Sequence, residues 1–188
     1  RLRHAIMTEV AEAQALALAR ETGATVTIAA FEAGERHKLA KATADLGPVL
    51  DPASDRKVNL YDTATGRLLL AFADDKEREQ AFARQGMPGE RWPEVKERRD
   101  LVSKLNALRR SGVAVKVGSD GQAESVAVPV FGPDGRAWAA LGISVPAGAA
   151  RSADHDVLVR RLQAAADQFT EVLRQRLGEG RPSRPAEA

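Results

Sequence analysis

Residues 61–72, with the sequence YDTATGRLLLAF, are the part of the chain best suited to hold a small ligand. The small or hydroxyl-bearing residues Thr63, Ala64, Thr65 and Gly66 stand directly before a strongly apolar helix start. Such residues let a ligand come close to the backbone, and the exposed N–H groups of a helix start favour a carboxylate or another anion. The pattern therefore predicts a binding pocket at this point of the chain.

A second surface of small residues is predicted on a β-hairpin within residues 122–145, where Gly132-Pro-Asp-Gly135 forms the turn. Side chains alternate between the two faces of a strand. One face then carries small residues and Trp138, while the valines and leucines of the opposite face form a core. The predicted small-residue face comprises Ser125, Ala127, Pro129, Trp138, Ala140, Gly142 and Ser144. Two interpretations remain open for this face: a ligand pocket, or a close contact with a helix or another subunit.

Groups that carry out catalysis are sparse. The chain has no cysteine, which excludes disulfides, thiol catalysis and thiolate metal sites. The three histidines lack the spacing of metal ligands, and Ser125 is not part of a Gly-x-Ser-x-Gly turn. We therefore predict no catalytic residue, no metal site and no cofactor. The single tyrosine, Tyr61, is interpreted either as a hydrogen-bond donor to a ligand or as a packing residue.

Composition favours an ordinary soluble domain. The 188 residues include 28 basic and 26 acidic ones, and no basic tract resembles a nucleic-acid footprint. No apolar run reaches the roughly 20 residues of a membrane helix, so a cytoplasmic location is the default expectation. Because the chain starts with Arg1 and not Met, we expect that an N-terminal portion of the protein is missing.

The order of elements is helix, strands, helices, strands, helix, which predicts an α+β fold with an antiparallel sheet. Leu2, Ile6, Val10, Ala13 and Ala17 are spaced as the apolar stripe of the first helix. The stripe predicted for the last helix is Leu158, Leu162, Ala165, Phe169, Val172 and Leu173. Residues 1–178 are predicted to form one domain, and the Gly-, Pro- and Arg-rich residues 179–188 a disordered tail.

Five segments in order resemble the effector-binding domain of IclR-type bacterial transcriptional regulators. These segments are Glu21-Thr-Gly23, residues 63–72, Arg109-Arg-Ser-Gly-Val-Ala-Val115, residues 126–136 and Leu141-Gly-Ile-Ser-Val-Pro146. The resemblance implies a GAF-like or profilin-like domain with about six antiparallel strands flanked by helices. It also implies a dimer or tetramer that binds a small organic effector, often a carboxylate or aromatic acid. Operator DNA would be bound by a separate N-terminal winged helix-turn-helix domain, which this chain lacks.

Carried over by position, the resemblance places the effector at Ala64, Thr65, Ser125, Gly142 and Ser144, which the residue pattern also selects. With the rest of the small-residue turn and the neighbouring side chains, the candidate effector-binding residues are Tyr61, Thr63, Ala64, Thr65, Gly66, Lys116, Ser125, Ala127, Gly142 and Ser144.

The chain departs from the family pattern in several places, among them a slightly short loop between Lys116 and Ser125 and the absence of the Cys that is frequent at the Ser125 position. Relatives commonly have Pro-Leu-His-Ala where this chain has Asn59-Leu-Tyr-Asp62, and many have an acidic residue at the position of Lys116. Lys116 would either offset a ligand carboxylate or point to solvent. Since an acid-to-base replacement changes the local charge by two, the ligand preference of relatives does not transfer safely.

The expected function is ligand sensing and oligomerisation for a transcriptional regulator. The alternative is an interaction domain that assembles without a ligand around a degenerate pocket. An enzyme on a GAF-like fold, such as a methionine sulfoxide reductase, is disfavoured because that chemistry uses thiols and the chain has none. We therefore expect that the domain is not an enzyme.

Overall fold

The computed structural model describes residues 2–45, 47–48, 58–118, 121–148 and 155–178. Within them, the α-helices are α1 (Leu2–Thr22), α2 (Ala64–Phe72), α3 (Asp75–Gln85), α4 (Arg98–Ser111) and α5 (His155–Gly178). The strands are β1 (Thr25–Glu32), β2 (Glu35–Thr43), β3 (Gly47–Pro48), β4 (Ala114–Val117), β5 (Ala123–Phe131) and β6 (Ala137–Pro146). The tail predicted for residues 179–188 lies outside the described residues.

All strands belong to one antiparallel sheet with the order β3-β2-β1-β6-β5-β4. Five strands have four or more residues, and the edge strand β3 has only two. Because β5 and β6 are joined by a tight turn and β6 pairs with β1, the two halves of the chain meet at the centre of the sheet. The predicted α+β class and the antiparallel sheet are confirmed.

The apolar face of the sheet packs against α1 and α5. Its residues include Ile28, Val128 and Leu141, all almost fully buried together with Phe169 and Leu162 of α5. The predicted stripe of α5 is confirmed, since Leu158, Ala165 and Val172 also pack against this core.

The stripe predicted for α1 is wrong in part. Ala13 and Ala17 are exposed, whereas Met7, Ala11 and Ala15 are buried. The first helix is so rich in alanine that an apolar residue stands on several faces, and spacing alone does not select the buried one.

The opposite face of the sheet is built from small residues and is covered by α2. Ala29, Ala127 and Ala140 of the sheet form a buried cluster with Ala64 and Leu68 of the helix. Methyl groups on both sides allow the helix to lie close to the strands, as the interpretation of a close helix contact predicted. The packing of the apolar residues of α2 on the sheet thus fixes the position of the N-terminal turn of the helix.

Trp138 does not belong to this face, so the simple alternation predicted for β6 is wrong there. The register shifts between Val130 and Phe131, and both Trp138 and Ala139 pack toward the core shared with α1 and α5. Arg3 of α1 stacks on the Trp138 ring at 4.8 Å. A β-bulge inserts one residue into the two-residue period, and no hydrophobic pattern reveals that shift in advance.

The packing of α5 predicts the effect of truncating its central aromatic residue. Phe169 is fully buried, so Phe169→Ala should lower the free energy of unfolding by about 3–5 kcal/mol. Val157 on the same helix is 48% exposed, and Val157→Ala should change stability by less than about 0.5 kcal/mol. Urea denaturation of the two variants checks this. Equal losses in both would contradict the docking of α5.

Candidate functional site

The N-terminal turn of α2 is held by its own residues. Thr63 is the N-cap, and its Oγ1 accepts a hydrogen bond of 2.9 Å from the Gly66 N–H. The first N–H groups of an α-helix have no intrahelical acceptor, so this end of α2 carries the partial positive charge of the helix dipole. Gly66 is required by space: a Cβ there would lie 2.3 Å from the Leu60 carbonyl oxygen.

The helix start touches the sheet at Gly142. A Cβ on Gly142 would lie 2.7 Å from Cγ2 of Thr65, far inside van der Waals contact. Thr65 is almost completely buried, and the strand has no side chain at the point of closest approach. Helix α2 begins at this contact while the strands continue past it, which leaves a space beside the first turn of the helix.

That space is a cavity of about 370 Å³. Its lining residues are Thr25, Thr27, Arg36, Lys41, Thr63, Ala64, Thr65, Ser125, Gly142, Ile143 and Ser144. Six of the ten candidate residues line it: Thr63, Ala64, Thr65, Ser125, Gly142 and Ser144. The structure therefore brings together the two segments that sequence patterns selected separately.

Hydroxyl groups form a row across the floor of the cavity. Ser144 is the direct cross-strand neighbour of Thr25 on one side and of Ser125 on the other. Residues directly opposite in an antiparallel pair lie side by side on one face. The Ser125 and Ser144 Oγ atoms are 3.4 Å apart and form a hydrogen bond in which either hydroxyl could be the donor. Each hydroxyl oxygen also has a further lone pair for a polar ligand.

Two cationic side chains from β2, Arg36 and Lys41, also line the cavity, and sequence reasoning missed both. They are five residues apart and would face opposite sides of a regular strand. A register shift opposite Ile28 and Ala29 adds Leu39 to β2, so that Lys41 is opposite Thr27 and Arg36 is opposite Phe31. Since Thr27 and Phe31 share a face of β1, the bulge turns both cations toward α2.

Arg36 is fixed in place by the start of α2. Its Nε donates a 3.0 Å hydrogen bond to Oγ1 of Thr65. Burial lowers the pKa of Arg36 to about 10, so the guanidinium keeps its charge at neutral pH. The cavity thus holds a desolvated cation beside a row of neutral hydroxyls.

Four candidate residues lie outside this lining. Gly66 is buried inside the first turn of α2, and Ala127 is buried in the alanine contact below the helix. The Tyr61 ring is fully buried in the cluster between α2 and α4, where its hydroxyl donates to the Gly86 carbonyl at 2.8 Å. Burial raises the pKa of Tyr61 to about 12. The structure thus places Tyr61 as a packing residue, in agreement with the second of its two interpretations.

Lys116 shares the face of Ser125, its direct neighbour across β4 and β5, but its side chain lines a different cavity. This second cavity, of about 810 Å³, lies between the turn before α2, the segment before α4 and the edge strand β4. Its charged lining residues are Asp62, Arg67, Glu90, Arg91, Glu94 and Lys116. Asp62 pairs with Arg91 at 3.2 Å, and the Lys116 ammonium donates to the Val117 carbonyl. Asp62 and Lys116, two residues at which the chain departs from the family pattern, therefore line the same second cavity.

Within the described residues, no group of three or more His, Asp or Glu side chains is arranged to hold a metal ion. No helix in the same ranges is long and apolar enough to cross a membrane.

Comparison with known proteins agrees with this architecture. Residues 2–171 match the family model described as "Bacterial transcriptional regulator IclR C-terminal". The chain belongs to the IclR family. Its resemblance to effector-binding domains of that family is confirmed, and the family is one of transcriptional regulators, not of enzymes. No curated protein sequence matches the chain.

Solved structures of IclR-family proteins share the fold. The C-terminal domain of the E. coli transcriptional regulator KdgR is 25% identical, with a TM-score of 0.69 over 89% of this chain and 98% of that one. An IclR homolog from Microbacterium hydrocarbonoxydans, complexed with 4-hydroxybenzoate, is 23% identical, with a TM-score of 0.72 over 92% and 70% of the two chains. The inducer-binding domain of PobR from Acinetobacter, a double mutant in complex with 3-hydroxybenzoic acid, is 19% identical. Its TM-score is 0.65 over 87% and 97%.

The contact between Gly142 and Thr65 in this IclR-family domain predicts a specific non-additive pair of substitutions. Gly142→Ala should destabilise the protein by about 1–3 kcal/mol, because the new methyl group meets Cγ2 of Thr65 at 2.7 Å. Thr65→Ser removes that methyl group and keeps the hydroxyl that accepts from Arg36. The double variant should therefore recover at least half of the loss in a double-mutant cycle of urea denaturation. Strictly additive effects would show that α2 does not approach the sheet at this point.

Proposed function

We propose that this domain is the ligand sensor of an IclR-type transcriptional regulator and that a small organic acid binds in the 370 Å³ cavity. The observation that carries the proposal is the charge of the site. A helix N-terminus, Arg36 and Lys41 surround one cavity, and none of its described lining residues is acidic. Hydroxyls of Thr25, Ser125 and Ser144 supply donors for the carboxylate and acceptors for further polar groups of the ligand.

Relatives of the same fold support the class of ligand. The M. hydrocarbonoxydans homolog is complexed with 4-hydroxybenzoate and the PobR domain with 3-hydroxybenzoic acid. Both ligands are aromatic acids with one carboxyl group. We extend to this chain the general class, a small organic acid, with aromatic acids among its members.

In the proposed mechanism, effector binding changes the equilibrium between two arrangements of a homodimer or homotetramer. A ligand shifts such an equilibrium only by its difference in affinity for the two states. The N-terminal turn of α2 lines the cavity and also contacts the sheet. In this mechanism, the position of the turn differs between the two arrangements. A GAF-like domain of this kind, spanning residues 1–178, would act in the cytoplasm on operator DNA through a separate N-terminal winged helix-turn-helix domain.

A ligand screen with a matched pair of variants tests the sensor. Ser144 is exposed into the cavity, so Ser144→Leu should fill the site and leave the core intact. A small acid present at about 100 times its Kd should stabilise the native protein by about 2.7 kcal/mol and raise the melting temperature by several degrees. This shift should disappear in Ser144→Leu.

Ser103→Leu is the control, because it makes the same chemical change on the exposed surface of α4. It should keep the full ligand-induced shift. If no small carboxylic or aromatic acid shifts the wild-type protein, or the shift survives Ser144→Leu, the sensor proposal is wrong. An oligomer that forms equally well in all variants without ligand would then support the ligand-independent interaction domain.

A further inference from the structure

The charges of the described residues that line the cavity are unbalanced. Arg36 and Lys41 contribute two full positive charges, and the start of α2 adds roughly half a charge at most. The described partner of Arg36 is the neutral hydroxyl of Thr65, and within the described ranges no carboxylate pairs with Lys41. Among the described residues, a ligand with one negative charge would leave more than one positive charge of this partly desolvated site without a counter-charge.

The cationic side chains and the serine hydroxyls come from opposite sides of β1. Arg36 and Lys41 come from β2, on one side of the cavity, whereas Ser125 and Ser144 lie on β5 and β6. Thr27 stands between the two sides, paired with Lys41 in one direction and with Gly142 in the other. A ligand that uses both sides must therefore span β1 with an anionic group at its β2 end.

We propose that the effector is a dicarboxylate. One carboxylate is bound by the N-terminal turn of α2 and the hydroxyls of Ser125 and Ser144, and the second by Arg36 and Lys41. The inference rests on the proposed sensor function and names the chemical class of its ligand. It also separates this domain from the relatives complexed with the single-carboxylate hydroxybenzoates.

The size of the cavity limits the dicarboxylate to a compact one. A volume of about 370 Å³ is near the lower end of ligand pockets, which run roughly from 300 to 1,000 Å³. Small aliphatic diacids and a single benzene ring with two carboxylates fall within that limit.

Matched acid pairs isolate the second charge. Binding of succinate, glutarate and terephthalate to the full 188-residue chain is measured by calorimetry against the monoamide of each acid. A primary amide keeps nearly the size of the carboxylate and removes one charge, but it replaces one acceptor oxygen with an NH2 donor. The salt dependence of the difference therefore identifies the part that is due to charge. For at least one pair, the diacid should bind ten or more times more tightly than its monoamide, and the difference should shrink as salt is added.

Lys41→Met then locates the second carboxylate. This variant keeps most of the unbranched side chain and removes the charge, and it should weaken diacid binding about tenfold with little effect on the monoamide. Lys104→Met, which removes an exposed lysine on α4, should leave both affinities unchanged. Arg36 is not varied here because it also holds Thr65.

The outcomes separate this inference from the proposed function. One outcome is that acids bind the wild-type protein but not Ser144→Leu, while diacids and their monoamides bind with equal affinity. The proposed sensor function is then supported, and the dicarboxylate inference is overturned. Equal weakening of diacid and monoamide by Lys41→Met would also overturn it. If inorganic phosphate competes as well as the best diacid, the site binds a single compact anion and not two separated carboxylates, and the inference is overturned. If no acid binds at all, both proposals fail.

Discussion

The close approach of α2 to the sheet is the constraint on which the rest of this structure depends. Alanine side chains on both sides allow the contact, and Gly142 leaves space for Thr65 at the nearest point. Because the helix begins there, its N–H groups and its positive dipole end stand over the strands. A larger residue at Gly142 would move the helix, and with it the wall of the cavity. Packing thus determines where the helix N-terminus and the wall of the cavity lie.

Arg36 joins this packing to the electrostatics of the site. Its hydrogen bond to Thr65 connects β2 with the start of α2, and burial lowers its pKa to about 10. Partial desolvation of a cation is unfavourable unless an anion or strong acceptors compensate it. A neutral threonine hydroxyl offers one such acceptor, which leaves most of the guanidinium's hydrogen-bonding capacity for a bound anion. In the proposed sensor, Arg36 would therefore stabilise the empty arrangement weakly and the ligand-bound arrangement strongly.

Sequence patterns predicted the site only where the backbone is regular. The turn before α2 and the hairpin follow simple periods, and the residues that these periods selected include six that line the cavity: Thr63, Ala64, Thr65, Ser125, Gly142 and Ser144. Arg36 and Lys41 were missed because Leu39 adds a residue to β2, and Trp138 was misassigned because a second bulge shifts the hairpin register. A bulge is set by strand pairing, which is a tertiary property. The prediction of the buried face of α1 was wrong in part for another reason. The helix is so rich in alanine that several of its faces carry an equivalent apolar stripe.

The position of the cations bears on how this domain differs from its family. Lys116 stands at a position where the resemblance led us to expect an acidic residue, and it is the direct neighbour of Ser125 across β4 and β5. Here the Lys116 side chain turns into the neighbouring cavity, which Asp62 and Arg67 also line. Lys116 therefore contributes no charge to the lining of the 370 Å³ cavity. The positive charge of this cavity is supplied by Arg36 and Lys41 of β2. We therefore infer that selection among ligands depends on β2 and not on β4. On this inference, ligand choice depends on β2, a strand outside the five segments on which the resemblance to the family rests.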